Sequence, residues 1–140
     1  VVDMFGFKSK NKILCCMDDI KSCAKAAGYA VSDLPNKEIF GALVERIKIE
    51  KNGSNPTVLF GNNAITLLEA VPLKREPTPI EMLEWNARTH LIAFSYSPEG
   101  TLAVLKTHVP CSHGVSDKNF ESLLGIWAKR IELFKERVLA

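Results

Sequence analysis

Thr78-Pro79-Ile80-Glu81 constrains the fold of this chain more than any other stretch. A threonine side chain can accept from the third helical N–H, proline at the first helical position gives up no needed donor, and a glutamate at the third position reaches back to the cap. A helix therefore starts at Pro79. Ile80, Leu83 and Ala87 give it an inward stripe, with Met82, Trp85 and Asn86 beside that stripe. A strand over residues 91–97 follows, then the turn Pro98-Glu99-Gly100 and a second strand ending near Pro110. A three-residue loop sets Ser97 opposite Thr101, Tyr96 opposite Leu102, Phe94 opposite Val104 and Ile92 opposite Lys106. This matches bulk with bulk on one face. The second face then carries Leu91, Ala93, Ala103 and Leu105.

The flanking segments complete an alternation of helices and strands. Ile13, Cys16, Ile20, Cys23, Ala24 and Ala27 recur at helical spacing and predict a first helix over residues 13–27, stopped by Gly28. Residues 36–47 are ambiguous. Ile39, Phe40, Leu43, Val44 and Ile47 fit a helix, whereas Ile47-Lys48-Ile49-Glu50 alternates, so a strand over residues 43–50 is preferred, with a short helical turn allowed before it. Strands over residues 57–60 and 64–71 flank Gly61-Asn62-Asn63, whose residues readily take positive φ. After Pro110, Ser116 reads as an N-cap. Phe120, Leu123, Leu124, Trp127, Ile131, Phe134 and Val138 make one stripe of a long helix ending near Arg137, with Ile126 and Leu133 offset from it.

The expected fold is α+β: an antiparallel five-stranded sheet with three helices in the order α-β-β-β-α-β-β-α, as one domain over residues 1–140. With 46% hydrophobic and 24% charged residues the composition is that of a chain able to bury a core unaided. The 18 basic and 16 acidic residues are interspersed, which gives no field for steering onto nucleic acid. Lys8, Lys10 and Lys12 make the one locally basic stretch, read as a solvated face. No apolar run reaches about 18 residues, so no membrane span is expected. Adjacent Cys15 and Cys16 make a poor disulfide framework, and with Cys23 and Cys111 they read as reduced thiols of a cytoplasmic protein. A start at Val1 rather than methionine is consistent with a trimmed amino terminus.

The Trp85-Asn86 pair, the hairpin around Pro98-Glu99-Gly100 and a last helix carrying Trp127 and Phe134 resemble the YbjN family of bacterial sensory transduction regulators, over about residues 79–138. The resemblance implies a fold similar to that of type III secretion chaperones, and a non-enzymatic, often dimeric module that binds protein segments.

Chemistry offers less. Cys111-Ser112-His113 with His108 nearby is the cluster that invites a metal or nucleophile, but its spacing is not that of paired zinc ligands, and no third group is evident to orient a Cys/His pair. Neither Gly53 nor Gly61 opens a nucleotide-binding motif. No cofactor is expected. Glu81, Glu84, Glu132 and Glu136 read as helix-surface carboxylates. The expected function is a protein-binding or regulatory module that forms a homodimer. Candidate partner-binding residues are Trp85, Leu91, Ala93, Ala103, Leu105, Ile126 and Leu133. A cysteine/histidine enzyme or metal protein, and a scaffold subunit with an assembly role only, are the alternatives.

Overall fold

The computed structural model describes residues 12–89, 92–97, 99, 101–112 and 114–137. Its elements are α1 (Met17–Ala26), β1 (Ala30–Ile39), β2 (Ala42–Glu50), β3 (Thr57–Gly61), β4 (Ala64–Pro72), α2 (Pro79–Arg88), β5 (Ala93–Tyr96), β6 (Leu102–Pro110) and α3 (Asp117–Arg137). The class is α+β with three helices, as expected, but the antiparallel sheet has six strands, in the order β1-β2-β3-β4-β6-β5.

The sixth strand is β1. It pairs with β2 through a tight turn at Phe40-Gly41, both at positive φ. Sequence periodicity hides it because none of its residues is fully buried, so no apolar alternation is required of them. It is an edge strand, and it carries edge protection: a register shift between Leu34 and Lys37 that takes up Pro35, with Asp33, Lys37 and Glu38 nearby. The carbonyl of Pro35 accepts from Arg46 Nε at 2.9 Å. Residues 36–47 are thus two strands and a turn, without a helical turn.

Helix α1 begins at Met17 and not at residue 13, because Ile13 bridges Ser116 and Cys16 is extended, but it ends as the sequence implies. Gly28, at φ +91, takes the left-handed position, its N–H donates to the Lys25 carbonyl and that of Tyr29 donates to Ala24. The capping box of α2 is also complete. Thr78 accepts from the Glu81 N–H at 3.2 Å, and Glu81 accepts from the Thr78 N–H at 2.9 Å. Arg75 then clamps Glu81 bidentately at 2.7 and 2.5 Å.

The β5–β6 register differs from the expected one. Phe94 lies opposite Leu105 and Tyr96 opposite Ala103, and the Ser97 N–H donates to the Leu102 carbonyl at 2.8 Å, while Pro98 and Gly100 of the expected turn lie outside the described residues. The cause is β4. A nine-residue ladder pairs Val71 with Ala103, Glu69 with Leu105 and Leu67 with Thr107, which turns Ala103, Leu105 and Thr107 toward the helices. Phe94 must face the same core, and a one-residue slip would turn it to the other side.

The inward face of α2 also differs. Ile80 and Leu83 are 67% and 70% exposed, while Trp85 is 7% exposed and Met82 packs against the core. The indole offers more apolar area than the isoleucine and leucine can bury from a short peripheral helix, so it decides the orientation.

Phe120, Leu124, Trp127, Ile131 and Phe134 of α3 lie on the core face of the sheet with Ile47, Ile49, Val58, Ile65, Leu67, Leu105 and Phe94. Each such side chain contributes about 1.5–3 kcal/mol by burial. One polar group is fixed among them. Glu69, 3% exposed, accepts from Trp127 Nε1 at 2.9 Å, Ser54 Oγ at 3.3 Å and the Asn55 N–H at 3.3 Å.

Trp127→Phe removes that indole donor from a buried acceptor. It is expected to destabilise the fold by about 2 kcal/mol beyond any packing loss, read from urea unfolding. The Arg75 guanidinium, and next the Thr78 N–H, lower the Glu81 carboxyl from 4.5 to about 2. This contribution is therefore present above the unfolded value near 4.5 and is lost as pH falls toward 2. Wild type should melt above Glu81→Gln at pH 7, the gap closing by about pH 2 and shrinking with salt, because the pair is partly exposed.

Candidate functional site

Helix α2 brings together the features with functional potential. It carries the Trp85-Asn86 pair, of which Trp85 is buried and Asn86 exposed. The Asn86 amide acts as a substitute peptide group: Nδ2 donates to the Phe94 carbonyl at 3.1 Å and Oδ1 accepts from the Phe94 N–H at 2.7 Å. Strand β5 is a sheet edge, and Asn86 occupies the backbone groups there that another strand would use. The Trp85 ring meets Phe134 edge to face at 5.2 Å, and Phe134 meets Phe94 at 4.8 Å. Among the described residues, Trp85 Nε1 is the one buried side-chain nitrogen or oxygen without a hydrogen-bond partner. An unsatisfied buried donor costs about 1–3 kcal/mol.

Trp85 forms part of the wall of a half-open cleft of about 360 Å³ between α2 and α3, with Glu81, Glu84, Arg88, Thr89, Arg130, Leu133 and Arg137. Two of the residues expected to bind a partner, Trp85 and Leu133, therefore converge. Ile126 lies elsewhere, beside an apolar groove with Ile65, Val109, Phe120 and Leu123. Ala93 is exposed on the outer sheet face, whereas Ala103 and Leu105 are fully buried on the helix-covered face. The expected second hairpin face is thus not one surface, as the register already requires. Leu91 lies outside the described residues.

The arginines were missed because periodicity reports apolar faces only. A pattern was present in the sequence, with Arg130, Leu133 and Arg137 at three- and four-residue spacing on one side of a helix. Glu69 was missed because it stands in an apolar run that reads as an ordinary strand.

Among the described residues the cysteines and histidines do not assemble into a site. Burial pushes the Cys111 thiol up, away from the thiolate form that a nucleophile needs. His108 Nδ1 is hydrogen-bonded to Thr66 Oγ1 at 3.1 Å across the outer face of the sheet. His113 lies outside the described residues. Among the described residues no three His, Cys, Asp or Glu side chains group as metal ligands, and the four cysteines are free. No helix among them is long and apolar enough to cross a membrane.

Fold and site together define a small α+β module whose candidate site is a cleft between helices. The family model of YbjN, described as "Putative bacterial sensory transduction regulator", matches residues 64–140, more than half of the chain. The chain belongs to the YbjN family. The matched segment runs from β4 to the carboxyl end and contains the whole α2–α3 cleft, Asn86 and the Glu69–Trp127 pair. No curated protein and no solved structure matches the chain.

Asn86→Ala leaves both Phe94 backbone groups without partners. It is expected to cost about 2 kcal/mol in urea unfolding and to speed hydrogen exchange at the Phe94 amide, whereas an exposed-face change such as Ala87→Ser should leave that amide unchanged.

Proposed function

We propose that this protein is a non-enzymatic regulatory module that works by binding a protein segment, in the manner of secretion chaperones, and that it self-associates through α2. The observation that carries this reading is the outward face of that helix. Ile80 and Leu83 are exposed by about two thirds, with Ala87 exposed on the same side, although the helix is firmly capped and anchored. Apolar stripes at this spacing ordinarily face a core, and one held toward solvent marks an interaction surface. Family membership supports a regulatory role. A second copy is the favoured occupant, since a two-fold pairing buries the same stripe from both sides. Pairing through a sheet edge has less support, because β1 is interrupted at Pro35 and β5 is closed by Asn86. The free thiols and the raised Cys111 favour this reading over a cysteine enzyme.

Size-exclusion chromatography with light scattering should return a dimer for wild type at micromolar concentration. Ile80→Glu with Leu83→Glu should shift it to monomer with unchanged helical content, raising the dissociation constant at least tenfold. A wild-type particle that stays monomeric up to hundreds of micromolar removes the self-association.

A further inference from the structure

We propose that the α2–α3 cleft is a binding site for an acidic protein segment in extended, polyproline II-like form. Arg130 and Arg137 hold carboxylates three residues apart, and Arg88 faces them from the other wall. This rests on the reading of the protein as a module that binds protein segments, and it names the chemistry of the segment.

Charge is the first argument. Three arginines line this one cleft, in a chain whose formal charge is only +2 over 34 ionised lysine, arginine, aspartate and glutamate side chains (18 basic, 16 acidic). Of the two glutamates in the wall, Glu81 is already clamped by Arg75, so it offers little to neutralise the others. Among the described residues none of Arg88, Arg130 and Arg137 forms an ion pair. Guanidinium groups gathered on a cleft, with planar donor forks unfilled, are suited to carboxylates.

Geometry is the second. Arg130 and Arg137 stand seven residues apart on α3, which is about 10 Å along a helix. A polyproline II segment returns a side chain to the same side every third residue, about 9 Å on. Acidic residues at positions one and four of such a segment therefore match the two arginines, and Leu133 lies between them for the intervening apolar stem. The cleft is open along one side, which admits a passing chain.

The cleft also carries its own reporter. Trp85 is over nine-tenths buried in its wall, so its indole senses what enters the cleft, whereas Trp127, the other tryptophan, is held by Glu69.

The test uses the full chain with ¹⁵N-labelled indoles. Two tryptophans give two indole resonances, and that of Trp127 serves as an internal control of the fold. Titration with a blocked Glu-Pro-Pro-Glu peptide should move the Trp85 resonance saturably and leave Trp127 in place. The Gln-Pro-Pro-Gln peptide should bind at least tenfold more weakly, as should wild type toward the acidic peptide in high salt. Arg130→Gln with Arg137→Gln should weaken binding at least tenfold while the Trp127 resonance is unchanged. If that pair disturbs Trp127, Arg88→Gln replaces it with a threefold or greater loss expected.

A Trp85 resonance that stays fixed at saturating peptide overturns the proposal. So do equal responses to the two peptides, an undiminished response in the arginine variants, or an equal response to acetate at matched carboxylate concentration. Light scattering on the same samples reads self-association separately. A monomeric wild type that still binds the acidic peptide overturns the α2 pairing alone, and a dimer that ignores the peptide overturns the cleft alone.

Discussion

The hydrogen bond from the Trp127 indole to the Glu69 carboxyl sets where α3 lies on the sheet. Apolar burial holds the helix down but is non-directional, and a stripe of Phe120, Leu124, Trp127, Ile131 and Phe134 could slide by a turn with modest loss. A buried polar group is less tolerant, because displacement leaves it without a partner. With Trp127 fixed over β4, Phe134 falls two turns further on against Phe94 and Trp85. Arg130, Leu133 and Arg137 are then presented to α2, so the cleft depends on a contact outside it.

The same economy shapes the sheet. Its two edges are closed by different means, β1 by Pro35 and a register shift, β5 by the side chain of Asn86. Both leave the backbone less open to a further strand. Helix α2 serves three purposes in ten residues: it seals β5, it closes one wall of the cleft with Trp85 and Arg88, and it holds Ile80 and Leu83 toward solvent. Its capping box and the Arg75–Glu81 clamp explain how so short a helix is held at its start.

Much of this was legible from residues alone. The capping box, the glycine after α1, the Gly61-Asn62-Asn63 turn and the long stripe of α3 each rest on chemistry within a few residues, and the elements they imply are present. The family resemblance likewise rested on short motifs, and the match over residues 64–140 establishes membership. The differences share one cause. Strand β1 lacks alternation because an exposed edge does not demand it, the hairpin register follows β4 and not local bulk, and the burial of the Trp85 indole outweighs the apolar stripe of α2.

The sequence by itself determined where α2 begins, where α1 ends and which side of α3 is buried, because those depend on interactions of short range. Only the tertiary structure decided the register of β5, the face of α2 and the meeting of Arg88 with Arg130 and Arg137. The physical reason is parity. Each strand has two faces and each helix a full turn of them, and the choice is made by a neighbour distant in sequence: β4 for β6, and through it for β5, and Phe134 for Trp85.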